Sequence, residues 1–371
     1  MEKEEQKRQY LYMEVIRIFA CFFVIFTHTK GHELLQQCSL GSVRYWVYLI
    51  ISIFYKMEIP LFFAVSGALL LSKNEEIGRI WKHRILRIVL SLFAFSLFYY
   101  LCAVKAGTEV LSFGTFFSRF IGEGWSIPFW YLYAYISYLI CLPFLRRMVQ
   151  NLTNKEFYYL SVLIAIFLVI VPLFQDFMWS DQSGLNSYLN IRWITELAVL
   201  YPCMGYFIHH RMERNTTRKV LFPLWIVCLA VMVLSFFLTR READLGTIVS
   251  LDQNKCSEYI VLYCFTFYLT VKYLIEGIQC RLSQSGHKKK VLPYLKRMIT
   301  SLGGCTFGIY LWHIFFIDKF SLMKRIRDLF YARTEWMDEM VSALVWCACI
   351  MLAGYLVTWV MKKIPGLKKL V

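Results

Sequence analysis

Ten apolar runs, 17 to 27 residues long, dominate this chain, and each is long enough to be read as a helix crossing a hydrocarbon layer ~30 Å thick. They fall near 11–29, 45–71, 86–104, 128–145, 158–174, 193–209, 220–238, 258–275, 299–317 and 341–361. Lipid offers no water to bond a free N–H or C=O, so a run of this kind satisfies its backbone internally as a helix. The fold class expected is all-α, a polytopic membrane helical bundle of about ten transmembrane helices. Lys56, Glu58 and Pro60 interrupt the second run, which predicts a kinked or a long tilted helix. No stretch between the runs is long enough to fold separately, so residues 1–371 read as a single integral-membrane domain.

Hydrophobic residues make up 58% of the chain, outside the range of soluble domains. A net charge of +16 would suggest a nucleic-acid partner in a soluble protein; here topology accounts for it. With the N-terminus in the cytoplasm, the cytoplasmic segments hold about twice as many Lys and Arg as the outer ones, which predicts cytoplasmic N- and C-termini in a cell (plasma or inner) membrane. The last outer loop, with Lys324, Arg325 and Arg327, is the exception. Met1–Arg8 mixes acids with bases and no small-residue cleavage site follows Thr27, so the first run reads as a permanent span. The 12 cysteines show no metal-ligand spacing, and most lie within apolar runs as packing residues. Cys38 and Cys256 fall in outer loops, where an oxidising compartment would allow them to pair.

Against this background the polar residues within the spans stand out. Arg17 and His28 lie eleven residues apart in the first run, almost three helical turns, so both occupy one face roughly 16 Å apart along the axis. Glu14 precedes Arg17 by one turn on the same stripe. Intramembrane charge is expensive and marks functional sites, although a lone arginine or histidine also snorkels to an interface. Neutral imidazole accepts a proton near physiological pH, so His28 suits general-base activation of a hydroxyl. Arg84 and Arg87, one turn apart where the third run begins, suit convergence on one anion; ordinary positive-inside anchoring is the alternative. Trp130, Tyr131 and Tyr133 open the fourth run, as an interfacial aromatic belt or as faces that stack on sugar rings. Small residues in Ile59–Gly67 predict close helix packing. His313 in the ninth run reads equally as a hydrogen-bonded core histidine or a catalytic one.

Together these motifs resemble the acyltransferase family 3 membrane enzymes, which O-acylate cell-surface glycans. Arg17-x10-His28 is similar to the family's first-helix motif, and Arg84-x-x-Arg87 to its arginine pair. IPLFFAVSGALLL, FWYLYAYISYLICLPFL and TFGIYLWHIFF are similar to its second-, fourth- and late-helix signatures, in family order. Glu14 stands where relatives often carry Asp, and Lys56 where arginine is common. No SGNH-type hydrolase domain is expected after the tenth span.

The resemblance implies a membrane O-acyltransferase that moves an acyl group, acetyl most simply, from acyl-coenzyme A (acetyl-CoA) to a hydroxyl of a carbohydrate or lipid-linked glycan. It implies His28 as the catalytic base with Arg17 and Glu14 beside it, Arg84 and Arg87 as the coenzyme A site, and Trp130, Tyr131 and Tyr133 as acceptor contacts. Neither a metal nor nucleic acid is expected, and membrane lipid is the surrounding partner. The alternatives are a polytopic transporter or lipid flippase, in which buried charges line a path, and a non-catalytic membrane subunit of a glycan assembly complex.

Overall fold

The computed structural model describes residues 10–29, 42–178, 186, 189–246, 254–284, 291–320, 328 and 339–371. Cys38, His32 and the basic residues Lys324, Arg325 and Arg327 lie outside them. The described chain is helical, with no strand among the described residues. Nine described helices are long and apolar enough to cross a membrane, and each overlaps one predicted run.

Helix α1, Leu11–His28, follows the first run almost to the residue. The second run forms two helices, α2 Val43–Lys56 and α3 Glu58–Leu70, divided at Met57. Pro60 sits in the first turn of α3, where a backbone N–H has no partner within the helix, so its missing N–H costs α3 no bond. The third span, α4, covers Ile77–Lys105, and a wide π turn at Trp81–Ile85 interrupts it. Then come α5 Phe113–Ile121, α6 Trp130–Asn151 and α7 Asn154–Ala165, the last continuing through a π turn at Ile166–Ile170. A capping box, Thr153 with Glu156, starts α7.

The sixth run differs from expectation. Glu196 adopts an extended conformation, ψ 140°, and divides it into a turn, Arg192–Thr195, and the 14-residue helix α8, Leu197–His210. At 1.5 Å per residue α8 is ~21 Å long, shorter than the hydrocarbon layer. Helices α9 Arg214–Asp244, α10 Ile260–Gln284, α11 Val291–Ile314 and α12 Glu339–Met361 complete the chain, and a π turn, Phe315–Lys319, follows α11.

The contacts divide the chain into two units: Met1–Phe23, His32–Ser72 and Arg147–Gly303 form the first, and Val24–Gly31, Lys73–Arg146 and Gly304–Val371 the second. The first is centred on α3 against α8, which touch backbone to backbone. A Cβ on Gly205 would lie 1.8 Å from the Ala64 carbonyl oxygen, and one on Gly67 2.0 Å from that of Pro202. This is the close packing predicted for Ile59–Gly67. The end of α8 is finished by a buried lysine of α10: Lys272 Nζ donates to the carbonyls of Ile208 (2.5 Å) and Met212 (3.2 Å). A helix leaves its last carbonyls unbonded, and a cation there satisfies both hydrogen bonding and dipole. In the second unit α11 packs on α12 with Gly308 directly beneath the Thr358 side chain.

Candidate functional site

Within the first unit, Arg17 Nη1 donates to Glu14 Oε1 at 3.0 Å, as their one-turn spacing predicts. Glu14 is buried, and Gly303 passes close beneath it, where any larger residue would meet the carboxylate. Nearby on α1, Tyr12 shares a 2.6 Å hydrogen bond with His209 Nδ1.

Within the second unit, the His28 ring packs against that of His313, with centroids 5.2 Å apart and planes at 44°. His313 is 1% exposed. Its Nδ1 lies 2.5 Å from the Tyr310 carbonyl. Tyr310 in turn packs its ring on His313 at 5.6 Å and on Tyr131 at 5.5 Å, and Tyr131 stacks on Tyr135 at 5.8 Å. The Tyr310 hydroxyl donates to the Pro128 carbonyl, joining the late helix to the start of α6. Tyr99 of α4 holds the other side of the turn: its hydroxyl donates to Leu311 O (3.1 Å) and accepts the Phe315 N–H (3.0 Å) as the π turn begins. Thr29, just past α1, bonds Cys347 of α12 at 3.2 Å. His28 thus closes a line of rings that starts at the aromatic opening of α6.

The three aromatic candidates diverge. Tyr131 is buried in this line, Trp130 is half exposed, and the Tyr133 hydroxyl turns to the Phe120 carbonyl of α5. Two residues along a helix point nearly opposite ways, so Tyr131 and Tyr133 take different partners.

Arg84 and Arg87 also take different partners. Arg84 forms a two-point pair with Glu75, Nη2 to Oε1 at 2.6 Å and Nε to Oε2 at 2.9 Å, while Arg87 donates to the main-chain carbonyls of Lys369 and Val371. The π turn carrying Arg84 has a wider winding than the helix carrying Arg87, which alters their relative direction. Arg146 joins Glu75 at 2.8 Å. Burial raises the Glu75 carboxyl's pKa, but the hydrogen bonds and charges of Arg84 and Arg146 outweigh it and bring it from 4.5 to about 2. Burial, with Arg84, Arg146 and Arg79 nearby, lowers the Lys73 pKa despite the opposing pull of Glu75. One carboxylate therefore sits among four cations.

Sequence reasoning did not single out Glu75 or Arg146. An acid within the basic stretch Lys73–Arg87 was the available signal for Glu75, whereas Arg146 joins it from 71 positions away. Cys256 is buried; its suggested partner Cys38 is outside the described residues. Among the described residues no three His, Cys, Asp or Glu side chains group as metal ligands.

A family model, Acyl_transf_3, described as an acyltransferase domain, matches residues 10–363. The chain belongs to the acyltransferase 3 family. With its apolar helices, this member of the acyltransferase 3 family is a multi-pass membrane acyltransferase. No curated protein and no solved structure matches the chain.

Proposed function

We propose that this acyltransferase transfers an acetyl group from cytoplasmic acetyl-CoA to a hydroxyl of a cell-surface carbohydrate or lipid-linked glycan, in a cell membrane with both termini inside. The observation that carries the reading is the family match over residues 10–363 together with a histidine, His28, packed among buried rings in a membrane helix. The match favours this reading over a transporter or an inert subunit.

In the proposed reaction the acceptor oxygen attacks the thioester carbonyl carbon. A new C–O bond forms as the C–S bond breaks. His28 takes the hydroxyl proton and returns it to the departing thiolate, giving free coenzyme A. Arg17, held by Glu14 on the same helix, contributes positive charge that positions the donor or stabilises charge developed in transfer. The donor's phosphates are assigned to Arg84 and Arg87, in a neighbourhood where cations outnumber Glu75. Acceptor contacts are assigned to the aromatic opening of α6: Trp130, half exposed, offers a face to a sugar, Tyr131 lies behind it in the line of rings that ends at His28, and Tyr133 follows on the same helix.

The test follows labelled acetyl transfer from acetyl-CoA to glycan in native membranes. His28→Ala at normal expression and folding is expected to abolish transfer. Undiminished transfer would remove the base assignment.

A further inference from the structure

Within the first unit, a cavity of about 720 Å³ lies between α7 on one side and α8, α9 and α10 on the other. Protein interiors pack closely, so a space of that size, in the range of small-molecule sites, is part of the architecture. Two backbone features shape it. The π turn Ile166–Ile170 widens α7 where Val169 lines the cavity. The extended Glu196 begins α8 late, so the turn Arg192–Thr195 sets Trp193 and Ile194 at the same end.

The walls select the class of ligand. Phe157, Leu200, Met204 and Phe207 supply buried apolar surface, and the Ser161 hydroxyl, midway along α7, turns back to the Phe157 carbonyl (2.8 Å). Such a space gives water, a sugar or a coenzyme's phosphates few hydrogen bonds, and suits a hydrocarbon chain. From Glu156 to Val169 it follows α7 for roughly 20 Å, more than the ~15 Å depth of one leaflet. Tyr159 and Trp193, 66% and 68% exposed, stand at its rim, so a chain enters from the bilayer.

The two ends differ in charge. At the end of the capping box, exposed Arg147 adjoins the lining residue Met148, exposed Lys155 adjoins Glu156, and Arg211 donates to the carbonyl of the lining residue Leu152 (3.4 Å). The lining carboxylate there, Glu156, accepts from the N–H and hydroxyl of Thr153 (2.6 and 2.7 Å), and the acid Glu213, two positions beyond Arg211, is followed at once by Arg214. At the other end Arg192 is balanced in number by Glu196. We propose that this cavity holds one acyl chain of an anionic phospholipid, drawn from the leaflet at the capping-box end, with its phosphate among Arg147, Lys155 and Arg211. The site stands apart from the transfer reaction, none of whose assigned residues lines the cavity. Helix α7 belongs to the least buried of the nine described spans, and the chain supplies packing between it and α8.

The test uses the full chain in phosphatidylcholine nanodiscs and needs no activity. Phosphatidylglycerol or phosphatidylcholine, each carrying a diazirine near the end of one chain, is added at the same low content and irradiated, and the adducts are mapped by peptide mass spectrometry. Adducts of the phosphatidylglycerol probe should concentrate on residues 160–169 and 193–204, at roughly tenfold the yield of the phosphatidylcholine probe. Arg147→Gln combined with Lys155→Gln should remove most of that advantage. Ala165→Trp, which fills the cavity from α7, should lower the yield on residues 193–204 severalfold. Equal yields from the two probes on the wild-type chain, adducts spread evenly over the spans, or an undiminished yield in folded Ala165→Trp overturns the proposal. So does suppression of the adducts by a polyprenyl phosphate at lower content than unlabelled phosphatidylglycerol, which would assign the cavity to an isoprenoid chain. If Ala165→Trp does not fold, the ratio of the two probes on the wild-type chain decides alone.

Discussion

Glu75 grips Arg84 by two points, each carboxylate oxygen accepting one guanidinium N–H, and offers Oε2 to Arg146 as well. The folded-state pKa of this carboxyl, about 2, lies below its ordinary 4.5, so its stabilising contribution is complete above about pH 4.5 and disappears as pH falls towards 2. Glu75→Gln should destabilise the protein at pH 7 by about 1–3 kcal/mol, the partly exposed position holding the figure below that of a dry ion pair. Thermal unfolding of both proteins from pH 7 to pH 3 checks the sign: the gap should be constant down to about pH 5 and narrow below it. A gap that widens on acidification would contradict the assigned direction.

The contact of α3 with α8 leaves no room for a side chain at Gly205. Gly205→Leu should separate the helices or prevent their packing, at a cost above ~3 kcal/mol, because the obstacle is the Ala64 backbone rather than a movable side chain. Size-exclusion profiles in detergent should show loss of the peak of folded protein. Gly78→Leu, at a position where a Cβ meets nothing within 4 Å, is the control and should behave as wild type.

Tyr131 and Tyr133 should separate by assay. Tyr133→Phe deletes a hydroxyl bonded to Phe120 and should cost about 1 kcal/mol of stability with little change in acetyl transfer kinetics. Tyr131→Ala removes the ring packed on Tyr310 and should depress transfer while the KM for acetyl-CoA is unchanged. Equal kinetic losses in the two variants would count against the separation.

Lys272→Met replaces a buried ammonium that serves two carbonyls, and should lower stability by about 2–3 kcal/mol. Lys272→Arg, which keeps the charge, should recover part of it. Melting in nanodiscs at neutral pH reads both, and a Met variant as stable as wild type would show that the carbonyls find other donors.

Most of the helical plan was legible from the runs themselves, because lipid admits few alternatives for a long apolar segment. The Glu14–Arg17 pair was legible too, since it needs only one turn of one helix. Two kinds of feature were not. The first depends on backbone states that no residue pattern marks: the π turn that separates the directions of Arg84 and Arg87, and the extended Glu196 that shortens the sixth helix. The second depends on residues far apart in sequence. Nothing near Lys272 in sequence marks it as the partner of the α8 carbonyls, 60 and 64 positions away, and His313 reads as either a core or a catalytic histidine until its ring meets that of His28.

The bond from Lys272 to Ile208 crosses 64 positions of sequence, and this separation bears on how the protein is made. During synthesis α8 emerges well before the lysine that completes it. A short helix with uncovered end carbonyls is a poor independent passenger for insertion into lipid. Until α10 follows, the backbone contact with α3 is the packing available to it within its own unit. The order of translation thus leaves the end of α8 unfinished until α10 is made, and a chain lacking Lys272 would complete insertion with those two carbonyls still without their donor.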